Sequence, residues 1–85
     1  MRSFSYTVKD EVGIHARPAG LIAKKAKEYE SAVTIEKDGR AVKATGLVAI
    51  MGLAVKKGDT VTVRVEGRDE DEAADALERL LREIL

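Results

Sequence analysis

The amino-acid sequence predicts an α+β protein, a two-layer open-faced sandwich in which a four-stranded antiparallel sheet is covered on one face by three helices. Three observations lead there. Four short segments alternate polar and apolar residues, so each has one face to bury as a strand. Three other segments repeat their apolar residues at helical spacing. The two kinds are interleaved as β-α-β-β-α-β-α within 85 residues, the length of one small domain spanning 1–85. Amphipathic helices laid as one layer on a half-apolar sheet bury both sets of apolar faces together.

Ser3-Phe4-Ser5-Tyr6-Thr7-Val8 reads as the first strand, with Phe4, Tyr6 and Val8 on one face. Lys9-Asp10-Glu11 breaks the alternation. From about Ala16 to Tyr29 the spacing turns helical, with Leu21, Ile22, Ala26 and Tyr29 sharing a buried stripe and Lys24, Lys25 and Lys27 on other faces. Gly20 costs this helix about 1 kcal/mol relative to alanine, which marks either a close approach or a tolerated defect. Ala32 to Glu36 forms a second strand. Asp38-Gly39 is a hairpin signal leading into a third, Arg40 to Lys43.

Thr45 is the expected N-cap of a short helix from about Gly46 to Val55. Its apolar residues exceed one stripe. With Ile50, Leu53 and Ala54 facing the core, Leu47, Val48 and Met51 fall on another face, either exposed for docking or sunk deeper into the fold. Lys56-Lys57-Gly58-Asp59 is a turn, and Thr60 to Glu66 is the clearest strand, with Val61, Val63 and Val65 on one face. Asp69 is the expected cap of the last helix, and Glu72 completes an acidic capping box. Ala73, Ala76, Leu77, Leu80, Leu81 and Ile84 supply that helix with its apolar stripe.

Composition narrows the function. Fifteen basic residues balance fifteen acidic ones, which argues against nucleic-acid binding by bulk charge. The absence of cysteine rules out a disulfide and thiolate chemistry, and one histidine makes a zinc site improbable; no metal or other cofactor is expected. Neither a bilayer-spanning run nor a signal peptide is visible, so a cytoplasmic protein is expected.

What remains is the stretch Val12-Gly13-Ile14-His15-Ala16-Arg17-Pro18-Ala19-Gly20, which holds the only histidine and the only proline. Pro18 is best tolerated in a first helical turn, so His15 falls at the loop-to-helix junction. The first-turn N–H groups lack intrahelical partners and stand at the positive end of the helix dipole, an arrangement that binds phosphate. Arg17 adds a fixed cation shaped for phosphate oxygens. An imidazole there can attack phosphorus and keep the group it acquires within reach of those donors. The plainer reading is a histidine that only caps a helix.

Gly13-Ile14-His15-Ala16-Arg17-Pro18-Ala19 resembles the active-site signature of HPr, the histidine-containing phosphocarrier family of the bacterial sugar phosphotransferase system, and the resemblance extends along the whole chain. It implies sheet order 1-4-2-3. It implies that His15 accepts a phosphoryl group on Nδ1 from enzyme I and passes it to sugar-specific IIA proteins, with Arg17 steadying the group and the N–H groups of Ala16 and Arg17 helping to hold it. It implies a monomer that docks both partners through Ala16, Arg17, Gly20, Lys24 and Lys27 with Leu47, Val48 and Met51, and so decides for the exposed reading of the second helix. One position departs from the pattern. Where many Gram-positive relatives carry a regulatory serine, this chain has Gly46, which has no hydroxyl to phosphorylate.

Two other readings compete. A small α+β sandwich can be an RNA-binding module, but that would use exposed sheet aromatics, and Phe4 and Tyr6 are assigned to the core. Alternatively, the fold persists as a regulatory module or designed scaffold without phosphotransfer.

Overall fold

The computed structural model describes residues 1–85. Its elements are β1 (Arg2–Thr7), α1 (Ala16–Lys27), β2 (Ala32–Lys37), β3 (Arg40–Lys43), α2 (Leu47–Met51), β4 (Thr60–Glu66) and α3 (Glu70–Ile84). The strands form one sheet in the order β1-β4-β2-β3, every neighbouring pair antiparallel. The fold is therefore the expected α+β open-faced sandwich.

Strict alternation produces the two faces. Phe4 and Tyr6 lie opposite Val63 and Val61, and Val33 and Ile35 lie opposite Val65 and Val63, so the centre of one face of the sheet is apolar. The other face is polar. The Ser5 and Thr62 hydroxyls meet at 3.2 Å, those of Thr7 and Thr60 at 2.9 Å, and Arg64 pairs with Glu36. On the apolar side Ile35, Val61 and Val65 meet Ile22 of α1, Ile50 of α2 and Leu77 and Leu81 of α3, in one buried cluster. The β2–β3 turn places Asp38 and Gly39 at φ +50° and +82°. Two positive values match the right-handed twist of a tight hairpin, as the Asp-Gly pair implies.

Four helix expectations need correction. In α1 the buried stripe is Pro18, Ala19, Ile22, Ala23 and Ala26, whereas Leu21 is 36% exposed and Tyr29 lies beyond the helix end, half-buried. The small residues let the helix pack closely against α2 and α3, and Leu21 is left at the surface. Gly46, not Thr45, is the N-cap of α2. The Ala44 N–H extends the ladder by donating to the Val33 carbonyl, which buries Ala44 and turns Thr45 outward.

The α2 helix also stops early. The N–H groups of Leu53 and Ala54 donate to Ile50 and Met51, a tightened last turn, and Ala54 then takes φ +53°. Leu53 remains buried, but Ala54 is exposed and not part of the core. A left-handed conformation costs an L-residue about 1–2 kcal/mol, part of which glycine forfeits again through its freer unfolded chain. Ala54→Gly is accordingly expected to stabilise the protein by about 0.5–1 kcal/mol in urea unfolding with an unchanged slope.

Asp69 stands at the N-cap position of α3, yet its carboxylate caps nothing there. It accepts instead from the Glu30 N–H at 2.9 Å, the Ser31 N–H at 2.9 Å and the Ser31 hydroxyl at 2.5 Å. No capping box forms: Glu70, the first residue of the helix, accepts the Gly67 N–H at 3.1 Å ahead of the N-cap, while Glu72 is exposed. Asp69 thus ties the start of α3 to the α1–β2 loop. The Ser31 hydroxyl, followed by the Glu30 N–H, holds its carboxyl below the usual value of 3.8. A lowered folded value means that this contribution to stability is complete above the unfolded value and is lost as pH falls through the folded one. Asp69→Asn should therefore lower the melting temperature at neutral pH, and the gap to the parent should narrow progressively in melts taken at pH values falling below 3.8. A gap that stays constant with pH would contradict this account.

Candidate functional site

The segment before α1 is strapped down by oxygens from three parts of the chain. Asp10 Oδ2 accepts the N–H groups of Val12 at 3.0 Å and Gly13 at 3.2 Å. The Lys9 and Asp10 N–H groups both donate to the Leu85 carbonyl at 2.7 Å. Ile14, itself buried, donates to the Val55 carbonyl at 3.0 Å. Gly13 passes beneath that carbonyl at φ +80°. A Cβ on Gly13 would stand 2.3 Å from the Val55 oxygen and 2.8 Å from Lys56 Cα.

The loop that supplies Val55 is fixed in its turn. Lys37 Nζ donates to the Ala54 carbonyl at 2.9 Å and pairs with Asp59 at 3.0 Å. Asp59 also accepts the Lys56 N–H at 2.9 Å. That backbone bond, and then the Lys37 ammonium, hold the Asp59 carboxyl below the usual range, so it stays ionised at neutral pH.

This strap delivers His15 to the N-cap of α1 with extended backbone, φ −110° and ψ −167°. The His15 carbonyl accepts the Ala19 N–H at 3.0 Å, the first bond of the helix. Its imidazole is exposed and caps nothing. No acceptor in the chain takes the N–H groups of Ala16 and Arg17, and Pro18 has none to offer. Two unpaired donors at a helix N-terminus therefore lie beside an unencumbered imidazole, while buried Pro18 and Ala19 anchor the turn that carries them.

A shallow concavity of about 280 Å³ opens here, lined by Asp10, His15, Arg17, Pro18, Leu21 and Ile84. It joins the loop, the first turns of α1 and the end of α3. An exposed nucleophile with a nearby cation and backbone donors can take up a small dianion and release it again, because nothing encloses it. Of the positions expected to dock partners, Arg17 lines it and Ala16 directly follows His15. Arg17, Gly20, Lys24 and Lys27 follow one another at three- and four-residue spacing along one face of α1. A Cβ on Gly20 would touch Leu47 Cδ1 at 3.7 Å, which sets the α2 face against the His15 end of α1. Leu47 and Met51 are each 40% exposed and Val48 80%, so the second apolar face of α2 lies open. The ion pairs of the chain engage Lys25, Lys37 and Lys57, but not Arg17, Lys24 or Lys27.

Asp10, Leu21 and Ile84 are site residues that sequence reasoning missed. For Asp10 a local signal existed, an aspartate two and three residues before the backbone donors of Val12 and Gly13, the spacing of a side-chain turn. The sheet offers no aromatic platform to a nucleic acid, since Phe4 and Tyr6 pack against the core. No cluster of three or more metal-binding side chains occurs, and no helix is long and apolar enough to cross a membrane.

The chain matches a family model described as the PTS HPr component phosphorylation site over residues 2–83. It is 42% identical over 84 residues to the phosphocarrier protein HPr of Lysinibacillus sphaericus, covering 99% of this chain and 96% of that one. Among solved structures, the histidine-containing phosphocarrier protein of Mycoplasma superposes with a TM-score of 0.93 at 32% identity, covering 96% and 93% of the two chains. The catabolite-repression protein Crh of Bacillus subtilis, described as a domain-swapped dimer, gives 0.79 at 38% identity, covering 94% and 92%.

Proposed function

The chain belongs to the HPr family of phosphocarriers of the phosphotransferase system, and from that membership we propose that His15 is the residue on which its phosphoryl group travels. As a phosphocarrier the protein is altered and restored in each cycle and is not an enzyme in the ordinary sense. The observation that carries the assignment is the free imidazole of His15 at the N-cap of α1, beside the unpaired N–H groups of Ala16 and Arg17. Enzyme I brings the group to the concavity. The Nδ1 lone pair attacks phosphorus, the bond from phosphorus to the donor breaks as the bond to Nδ1 forms, and the Ala16 and Arg17 N–H groups and the Arg17 guanidinium hold the oxygens. A IIA protein then takes the group by the same in-line exchange. Few contacts suit a shuttle, since a tightly held phosphoryl group would be trapped, and the partners supply the rest of the alignment.

Docking of both partners uses Ala16, Arg17, Gly20, Lys24 and Lys27 with Leu47, Val48 and Met51. An apolar centre with a basic rim suits acidic partners, whose charge mainly speeds encounter. The working form is one cytoplasmic HPr-like unit of residues 1–85, a monomer, and sedimentation at working concentrations tests the last point against the swapped dimer of the Crh relative. Gly46 carries no regulatory phosphate. The test of the carrier role is ³¹P NMR after incubation with phosphoenolpyruvate and a catalytic amount of enzyme I. An acid-labile phosphoimidazole signal is the expected result. Its absence with enzyme I from several sources, from well-folded protein, would favour a scaffold that keeps the motif without the activity.

A further inference from the structure

We propose that Asp10 is a positioning residue for phosphoryl acceptance, acting through a single carboxylate oxygen that sets the backbone leading to His15. The proposal rests on the reading of His15 as the acceptor. Asp10 is fixed from behind, because its N–H and that of Lys9 donate to the Leu85 carbonyl at the end of α3. In front, its Oδ2 gathers the N–H groups of Val12 and Gly13, and its carbonyl accepts the Gly13 N–H again at 3.2 Å. These bonds bend the chain so that Gly13 slides under the Val55 carbonyl and Ile14 can donate to it. His15 follows directly. The carboxylate thus connects the end of α3 to the approach of α1, and the same side chain lines the concavity that His15 and Arg17 share.

Without the Oδ2 acceptor, Val12 loses its bond and Gly13 keeps only the longer one to the Asp10 carbonyl, so the bend loosens and the bond from Ile14 to Val55 carries more of the placing of His15. The imidazole would then reach the phosphorus from a spread of positions relative to the Ala16 and Arg17 donors. Small misplacements of this kind slow group transfer strongly. Both N–H groups bond to the same oxygen. A single amide carbonyl can therefore replace the carboxylate, which separates position from charge.

The experiment compares the parent with Asp10→Asn, Asp10→Ala and Asp10→Ser by two routes. The first is the initial rate of phosphorylation at saturating enzyme I. The second is chemical phosphorylation by potassium phosphoramidate, in which a P–N bond to the imidazole forms as the P–N bond of the reagent breaks and ammonia leaves. Asp10→Asn is expected to retain the parent rate by both routes, and Asp10→Ala to lose roughly tenfold by both, with Asp10→Ser between them. Hydrogen exchange at the Val12 and Gly13 amides should accelerate in Asp10→Ala and not in Asp10→Asn. Rates are read well below each melting temperature, so a loss of global stability alone leaves them unchanged. If Asp10→Ala does not fold, the ordering of the parent, Asn and Ser proteins decides. Equal rates in all folded variants would overturn the proposal, as would an Asp10→Asn protein as slow as Asp10→Ala. A parent that accepts phosphate from neither donor would instead overturn the assignment of His15, and the Asp10 proposal with it.

Discussion

Replacing His15 by alanine is expected to remove phosphoryl acceptance completely while leaving the melting temperature almost unchanged. Both halves follow from the same geometry. The imidazole is exposed and makes no capping bond, so its removal leaves neither a cavity nor an unpaired buried group. Surface substitutions without such losses change stability by no more than about 0.5 kcal/mol. The fold around the position is carried by backbone atoms that alanine keeps. The His15 carbonyl still accepts the Ala19 N–H, and buried Pro18 and Ala19 still anchor the first turn. Function has no such reserve, since this is the sole histidine of the chain. The check is ³¹P NMR and thermal melting on the same sample. A variant that still acquires an acid-labile phosphoryl group would place the acceptor elsewhere. A variant that unfolds would show that the side chain bears part of the fold.

Local features of the sequence were legible, and features made by distant parts of the chain were not. The strands were read correctly because alternation is a property of neighbours, and the Asp38-Gly39 turn because its two positive φ values are set by those two residues. The central motif was legible for the same reason. Histidine, arginine and proline at fixed short spacing determine where a helix starts and what lies on its first turn. Leu21 was misassigned because helical spacing gives the angle between side chains but not which of two apolar neighbours meets the sheet. Asp69 looked like a cap because local rules place aspartate there, yet its partners, Glu30 and Ser31, are nearly forty residues away in sequence. Ile84 and Asp10 came into the site by the same kind of convergence, brought together by the Leu85 carbonyl.

A single methyl group at Gly13 should cost the protein more than any other change of that size near the site. Two penalties act together. The backbone at φ +80° disfavours any L-side chain by about 1 kcal/mol or more. In addition, the new Cβ would lie 2.3 Å from the Val55 carbonyl oxygen, a contact that only backbone movement can relieve. That movement separates the two segments joined by the bond from Ile14 to the same carbonyl, so a hydrogen bond at a buried residue is lost as well. Together these amount to about 3 kcal/mol, a large share of the total stability of a small domain. Gly39 provides the control. It has nearly the same φ, +82°, but a Cβ there would meet nothing within 4 Å. Gly39→Ala should therefore cost only the conformational part, about 1 kcal/mol, and the difference between the two variants in urea unfolding isolates the collision with the strap. Equal losses would mean that the approach of Gly13 to Val55 is looser than the structure has it. Because the strap leads directly into His15, Gly13→Ala should also slow phosphorylation in protein that remains folded, whereas Gly39→Ala, at a hairpin on the β2–β3 edge of the sheet, should not.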